Sequence, residues 1–464
     1  MRHEDYEAVI GAALLGPTAG GVEFTGADDP IYPSPLRLGA ATASVLANIA
    51  GAVNDIHEAR TGRRQNAQID VGHALVTISS MWVLKVDGRL ALEALADEPT
   101  PGQGILPTRD GRLMYLLSGF PHIVERTLEA IGCPEVDRLP EHVASRDAAD
   151  LEAALVKAQL TGVMIRDPEE WLTHPQGQIL ADTPTVLIEK IGDAPPTPLP
   201  EGDRLLEGLR VIDSTRVLAG PTVSRTLAAF GADVLHVGSP NVPDMAAAQA
   251  DTGSGKRRAF VDLDTAGGEA AMWELIDGAD VFSQSYRAQS LARRGLGPDA
   301  VAARRPGIIY LSENAYGPSG PWHEKRGFDG NVQAASGIHM INGKADEMAA
   351  PGPAMAMNDY CTGYWGAYGV LEALKRRAVE GGSWHVRVSL GQTAAWFLRL
   401  GTPHDPAGVN PDTGYALADQ FSEVVESDYG ELTRLRFPIT FSETAPSWGP
   451  TVKPGAHDPV WLAR

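Results

Sequence analysis

Two aspartates and one run of basic residues are the positions of this chain whose types suit chemistry. Asp359 lies in Ala356-Met-Asn-Asp-Tyr-Cys361, immediately before a long helical stretch of small residues. Read from the residues alone, an aspartate there is a helix cap, because its oxygen can satisfy orphan amides of the first turn. A carboxylate is also able to serve as a covalent nucleophile in acyl transfer. Asp329 closes Arg326-Gly-Phe-Asp329, and His323 stands six residues upstream of it. Lys256-Arg-Arg258 suits phosphate groups, or equally a solvated entry to a strand. Other chemistries find no support. The two cysteines, Cys133 and Cys361, cannot build a disulfide framework or a four-thiolate zinc site within one chain. The twelve histidines show no metal-ligand spacing, so no metal is expected. No Gly-x-Gly-x-x-Gly follows the first strand of the α/β pattern, and no Walker-type loop occurs. Trp171, Trp273, Trp322, Trp365 and Trp384 read as packing residues.

The elements that must position these groups follow from the apolar pattern. Asp193 to Asp203 holds four prolines in a short polar run and reads as a linker between two halves. Beyond it, Gly208 to Thr215 reads as a strand and Gly220-Pro221 opens a helix over Thr222 to Phe230. Further strands are expected at Asp233 to Val237, Ala259 to Leu263, Asp280 to Ser283 and Gly307 to Leu311. Helices fall between them near Glu269 to Ile276 and Gln289 to Arg294. Alternating strands and helices predict an α/β fold, a Rossmann-like doubly wound parallel sheet. Before the linker, Pro107 to Arg112 is a hairpin turn feeding a strand at Leu113 to Leu117, with helices near Ile123 to Ile131 and Ala148 to Ala158. That region predicts a smaller α+β domain.

Composition bounds the partners. Of 464 residues, 39 are Lys or Arg and 59 are Asp or Glu, a net charge of −20, which argues against nucleic acid and anionic membranes as partners. At 43% hydrophobic and 21% charged the chain should fold into large cores. The start carries acids where a signal peptide needs a basic patch, and no run approaches a membrane span, so a soluble cytoplasmic protein is expected.

An internal repeat crosses the linker. Pro35 to Val71 and Pro353 to Leu390 share one plan: a proline, a long small-residue helix with a central glycine (Gly51, Gly369), a glycine turn and a strand. One extra residue in the second copy restores the register. The expected units are therefore a helix and strand repeat at 1–75, a small α+β domain at 76–192, the linker at 193–203, a Rossmann-like domain at 204–400 and a tail at 401–464 that returns to it.

Four ordered motifs carry a resemblance. They are Gly208-Leu-Arg-Val-Ile-Asp-Ser-Thr-Arg-Val-Leu-Ala-Gly-Pro221 with Phe230-Gly-Ala-Asp-Val-Leu235; Gly255-Lys-Arg-Arg258 with Val261-Asp-Leu263; Arg326-Gly-Phe-Asp329 with Gln333-Ala-Ala-Ser-Gly337; and Asn358-Asp359 followed by Gly369 and Val386-Arg-Val-Ser-Leu390. With Phe437-Pro-Ile-Thr-Phe-Ser442 and Pro454-Gly-Ala-His457 in the tail, the chain resembles the family III CoA-transferases. That family includes formyl-CoA and carnitine-CoA transferases and, with different chemistry, α-methylacyl-CoA racemase. The order of parts departs from the family's, since the small-domain segment lies upstream. The family's interlocked homodimer is implied, with its threading in doubt.

The resemblance implies that Asp359 is the nucleophile: it takes the acyl group from an acyl-CoA, becomes an aspartyl-CoA thioester, and passes CoA to a carboxylic acid. Coenzyme A is then a substrate and no tightly bound cofactor is expected. The first repeat has Ala41 or Thr42 at the matching place and so lacks the nucleophile. The resemblance places Val217, Leu218 and Ala219 at the nucleotide-contacting turn, Val261 at the adenine slot, Ser285 and Arg293 beside the phosphates and Arg326 at the mouth. Lys256, Arg257 and Arg258 add a basic cluster. Gly238-Ser239 and Asp264 depart from the family's basic residues there, and Pro101-Gly-Gln-Gly104 stands as a candidate lid.

Two alternatives remain open on these residues. Asp329 corresponds to an aspartate that, in the racemase branch, follows a histidine and helps deprotonate the α-carbon; here Phe328 precedes it. A CoA-binding protein without catalysis is the other.

Overall fold

The computed structural model describes residues 21–463 except 27–28, 97–100, 118, 243, 288–289, 344–355 and 411. Residues 1–20 of the first expected unit, Gln289 and Pro353 thus lie outside the described residues. Seven strands form the main sheet: β1 (Leu187–Gly192), β2 (Arg210–Ser214), β3 (Asp233–Gly238), β4 (Arg257–Phe260), β5 (Val281–Gln284), β6 (Ile309–Asn314) and β7 (Ser383–Ser389). Their order is β4-β3-β2-β5-β6-β7-β1, parallel throughout except for β1, which runs antiparallel to β7 at the edge. Runs such as Val211-Ile212 and Val281-Phe282 are wholly buried, as strands covered on both faces require. The chain winds outward from β2 to β4, then crosses back to β5. The strand order therefore reverses between β2 and β5, and the carboxyl ends of strands at such a reversal open into a crevice.

The two repeat copies form matching elements. Helix α1 (Leu38–Thr61) has 24 residues and ends at Gly62, whose φ is 70°. A strand at Ala67–Asp70 and a short helix at Val71–Val76 follow, with Asp70 capping that helix through the His73 N–H at 2.9 Å. Before the second copy come α2 (Ala219–Ala229) and α3 (Asp329–Ser336). Then α4 (Met357–Glu380), again 24 residues, ends at Gly381 with φ 63°, and β7 leads into α5 (Leu390–Arg399), capped by Ser389. Helices α1 and α4 pack on each other, with Thr42 Oγ1 3.9 Å from Cys361 Sγ and an ion pair between Lys375 and Asp55. In the first copy, however, the strand pairs with Val22–Thr25 and Thr440–Phe441 in a separate sheet.

Glycines bring α4 close to its neighbours. A Cβ added at Gly363 would stand 2.5 Å from Thr222 Cβ and 2.7 Å from the Ala219 carbonyl oxygen; one at Gly366 would stand 2.7 Å from Val223 Cγ2. This approach sets the second and third turns of α4 beside the first turn of α2.

Several expected boundaries shift. Leu187–Gly192 joins the main sheet, so the small unit ends before residue 187 rather than at 192. Lys85–Val86 pairs with the tail strand Gly430–Leu435, which draws the residues after 76 toward the tail. The small unit has its own three-stranded sheet, Gly104–Pro107, Leu113–Leu116 and Val163–Met164, packed on Pro121–Ile131 and Ala148–Lys157. The strand expected at Ala259 to Leu263 lies earlier, at Arg257–Phe260. Of the helix expected up to Arg294, the described part is a 3-10 turn, Ala292–Arg294, stopped by Gly295 at φ 79°. No described helix is long and apolar enough to cross a membrane.

Gly363→Ala should destabilise the fold by about 1–3 kcal/mol, because the methyl group meets backbone that cannot yield. Gly267→Ala, on a helix where an added Cβ meets nothing within 4 Å, should instead be neutral or stabilising by roughly 0.4–1 kcal/mol. Urea midpoints of the two variants, compared with the parent chain, measure this difference in sign.

Candidate active site

The crevice where the strand order reverses holds a cavity of about 280 Å³. Its walls include the ends of three strands and the first turns of three helices. Arg216, Val217 and Ala219 follow β2; Ser285 and Arg287 follow β5; Glu313 and Asn314 end β6; and Asp359 lies in the first turn of α4. Phe120 and His122 of the small unit close one side. The Arg216 N–H donates to Ser285 Oγ at 3.0 Å, joining the two strand ends across the reversal. Val217 has φ 65°, an uncommon conformation for a β-branched residue, and its N–H donates to Asp244 Oδ2 at 3.1 Å.

Asp359 is not the cap of its helix. The N-cap residue is Ala356, which offers no side-chain oxygen, and the first turn is satisfied from outside by Asp329. The Asp359 N–H donates to Asp329 Oδ2 at 2.9 Å, while Asn358 Nδ2 and Gln333 Nε2 each donate to Asp329 Oδ1 at 2.8 Å. Asp329 is thereby enclosed behind Asp359, and only Asp359 of the two lines the cavity. Burial raises the pKa of both. For Asp329 the hydrogen bonds from Asp359, Gln333 and Asn358 work against that rise. The Asp359 carboxyl has no hydrogen-bond donor among the described residues, and the charges of Asp329 and Glu313 raise its pKa further. The result is a poorly solvated carboxyl open to the cavity, held by its backbone rather than by its side chain.

The lining is also cationic. Arg326 donates to the Gln159 carbonyl at 3.1 Å, and Arg287 donates to Gln159 Oε1 at 2.7 Å. Burial first, and then the nearby Arg287 and Arg126, push Arg326 down to about 10. Cations that disfavour one another's charge form a natural seat for an anion. Arg216 lies over the Phe120 ring, 4.6 Å from its centroid.

Of the residues singled out in the sequence, the fold brings Val217, Ala219, Ser285, Arg326 and Asp359 to this cavity, with Leu218 buried between the first two. Others lie elsewhere. Lys256 is buried, its ammonium 2.8 Å from Asp213 Oδ2 and 2.8 Å from the Pro221 carbonyl. Arg257 pairs with Asp233 at 3.0 Å and donates to the Val460 carbonyl at 2.7 Å, and Arg258 bonds the carbonyls of Gln249 and Val452 at 3.2 Å. The basic run therefore neutralises a buried carboxylate and ties down the tail rather than facing the cavity. Val261 packs in the core with Met272 and Leu275. Arg293 stands outside the wall, 3.8 Å from Glu324. Phe328 and His323 do line the cavity; His323 bonds the Gly320 carbonyl at 2.8 Å, and no contact joins it to Asp329 among the described residues. Pro101 to Gly104 leads into the small unit's sheet and does not line the cavity. No group of three potential metal ligands occurs among the described residues.

Sequence reading passed over Arg216, Arg287, Glu313, Phe120 and His122. In the sequence Glu313 gives no signal that separates it from a surface acid. Phe120 and His122 carried none, because only the fold brings the small unit to the strand ends.

The family model for CoA-transferase family III matches residues 206–414. An acetyl-coenzyme A transferase from Hypoxylon pulicicidum is 31% identical over 430 residues, covering 82% of this chain and 72% of that protein. That share includes residues on both sides of the linker. A succinate–glutarate CoA-transferase from Agrobacterium fabrum is 29% identical over 272 residues, covering 52% of this chain and 67% of that protein. Among solved structures, a CAIB/BAIF family protein from Brucella suis matches 43% of this chain and 55% of its own, at 29% identity and a TM-score of 0.38.

Replacing Lys256 by Met leaves the Asp213 charge buried without its ammonium partner. Stability should fall by roughly 3–5 kcal/mol, read from denaturant unfolding, while affinity of the folded protein for a CoA thioester stays unchanged.

Proposed function

The chain belongs to family III of the CoA-transferases, and from that membership we propose that CoA passes from an acyl-CoA thioester to a free carboxylic acid by way of Asp359. CoA-transferase activity is the family's; the covalent route and the residues are this reading. The observation that carries it is the orientation of Asp359, whose N–H is fixed by Asp329 while its carboxyl is left for the cavity.

An Asp359 oxygen attacks the thioester carbonyl, the C–S bond breaks, and a mixed anhydride and CoA thiolate result. The thiolate then attacks the aspartyl carbonyl. The bond from the aspartyl carbonyl carbon to the bridging oxygen breaks, the first acid leaves as a carboxylate that carries that oxygen, and an aspartyl-CoA thioester remains. The second acid reverses both steps. Water is the competitor at every stage, and the enclosed position of Asp359 limits its access. Phosphates of CoA are assigned to the arginines of the lining, with Arg216, Arg287 and Arg326 as their partners.

The racemase alternative requires Asp329 to reach a substrate α-carbon. Its carboxylate is instead occupied by three N–H donors behind Asp359, and Phe328 occupies the preceding position. A binding protein without catalysis leaves the unpartnered Asp359 carboxyl at the cavity without a use.

Acetyl-, succinyl- and glutaryl-CoA are the first thioesters to try, given the acyl groups named in the relatives. Incubation should give a hydroxylamine-sensitive adduct on Asp359 by mass spectrometry, and Asp359→Ala should lose both the adduct and on the order of 1,000-fold or more in rate. Full activity in Asp359→Ala, or α-hydrogen exchange in deuterated water that Asp329→Asn abolishes, would count against the transferase mechanism. Arg326→Ala should raise KM for the thioester about tenfold with kcat little changed, as loss of a phosphate partner does. The same reading includes a homodimer, and light scattering that gives the mass of one chain would remove that part of it.

A further inference from the structure

Glu313 is a buried acid that the transfer steps above do not use. It is the penultimate residue of β6, opposite Val388 of β7. Side chains two apart on a strand share a face, so Glu313 lies on the face of Leu311. The side chains of Leu311 and Val388 both approach the α4 glycine Gly366, at 3.3 and 3.6 Å from the Cβ it lacks. That face therefore points at α4, and the end of the strand brings Glu313 to the cavity that Asp359 also lines. Glu313 is 7% exposed and has no hydrogen-bond partner among the described residues. A leucine would fill the same place without the cost of burying an acid. Buried, unpartnered ionisable groups open to a reactive cavity are candidates for a role in the reaction.

We propose that Glu313 is a second working carboxyl of the active site: protonated, it leaves the negative charge to Asp359 and donates a hydrogen bond to the carboxylate of the organic acid that leaves and enters. The proposal rests on the transferase reading above. Three carboxyls share one poorly solvated place, and like charges there cannot all be ionised. Asp329 has three N–H donors and is the one best stabilised as an anion. Asp359 and Glu313 are left to share the proton, and nucleophilic attack requires that Asp359 not hold it. Burial pushes Glu313 up to about 8, so it is neutral below that pH and charged above it. In that neutral form its O–H can hold the first acid while CoA thiolate attacks Asp359, and the second acid before it attacks the aspartyl thioester. The proton stays on Glu313 throughout. The bonds made and broken are those of the transfer.

The groups that share its surroundings are few. Asp359 faces it from α4, with Asp329 of α3 behind. Arg216, Arg287 and Arg326 line the same cavity, with His122, His323 and Tyr286. Lys325 also borders the cavity, but its ammonium is taken up by the carbonyls of Leu160, Thr161 and Gly162.

The test uses the full chain with Glu313→Gln and Glu313→Leu. The readout is exchange of isotopically labelled acid into whichever of acetyl-, succinyl- or glutaryl-CoA labels Asp359. Glu313→Leu should raise KM for the acid on the order of 10- to 100-fold while the adduct on Asp359 still forms. Glu313→Gln keeps a neutral N–H donor and should stay within about threefold of the parent. In the parent, KM for the acid should rise as pH passes about 8, and Glu313→Gln should lack that rise. The proposal is overturned by an unchanged acid KM in Glu313→Leu, by Gln as harmful as Leu, or by an alkaline rise that survives in Glu313→Gln. If no thioester labels Asp359, the transferase reading itself fails and this proposal with it.

Discussion

The active site depends on one hydrogen-bonding arrangement, the acceptance of the Asp359 N–H by the buried carboxylate of Asp329. A helix whose N-cap residue is alanine has first-turn amides that must find an acceptor. Here the acceptor is supplied by α3, so the start of α4 is fixed by tertiary structure rather than by its own sequence. The same bond holds the backbone of Asp359 and leaves its side chain uncommitted. It also places a second carboxylate next to the first, which raises the free energy of ionising Asp359. The position of the Asp359 backbone and the negative charge beside its carboxyl thus have one physical origin.

The first repeat copy shows the same device without the chemistry. The N-terminus of α1 is also satisfied from outside, by Asp29, whose two oxygens accept the N–H groups of Gly39 and Ala40 at 2.9 Å. Thr42, in the first turn of α1, bonds the Leu38 carbonyl at 2.8 Å and faces Cys361 of α4. Where one copy presents a carboxyl to a cavity, the other presents alanine and threonine to its twin helix. The copies fold alike because small residues, a glycine turn and a capped strand end specify helix, turn and strand locally. They differ in what surrounds them, and the chemistry lies in the surroundings.

Charge is arranged on the same principle. A net charge of −20 belongs to the whole chain, whereas the cavity's lining gathers arginines. Gln159, held at φ 54°, links Arg287, Arg326 and Glu324, so the small unit fixes the cations that the strand ends present. Lys256 carries the same charge but lies beneath the sheet, where burial opposes ionisation of Asp213 and the lysine and His236 overcome it. Arginine at the rim keeps donors for an anion, while lysine in the core is consumed by its partner.

The sequence by itself determined the elements: apolar strand runs alternating with helices, prolines that exclude regular structure, and two copies of one helix, turn and strand pattern. Its resemblance to the family also singled out Asp359, Val217, Ala219, Ser285 and Arg326, which lie at or near strand ends and helix starts, where local pattern and site coincide. Only the tertiary structure decided which charges are spent. Lys256 and Arg257 look in the sequence no different from Arg326, and Glu313 no different from a surface acid. Burial and pairing depend on neighbours that are remote in the chain: Lys256 meets a carboxylate 43 residues away, and Asp329 meets an amide 30 residues away. A carboxyl's ionisation depends on solvent and on the groups packed around it, and neither exists until the chain has folded.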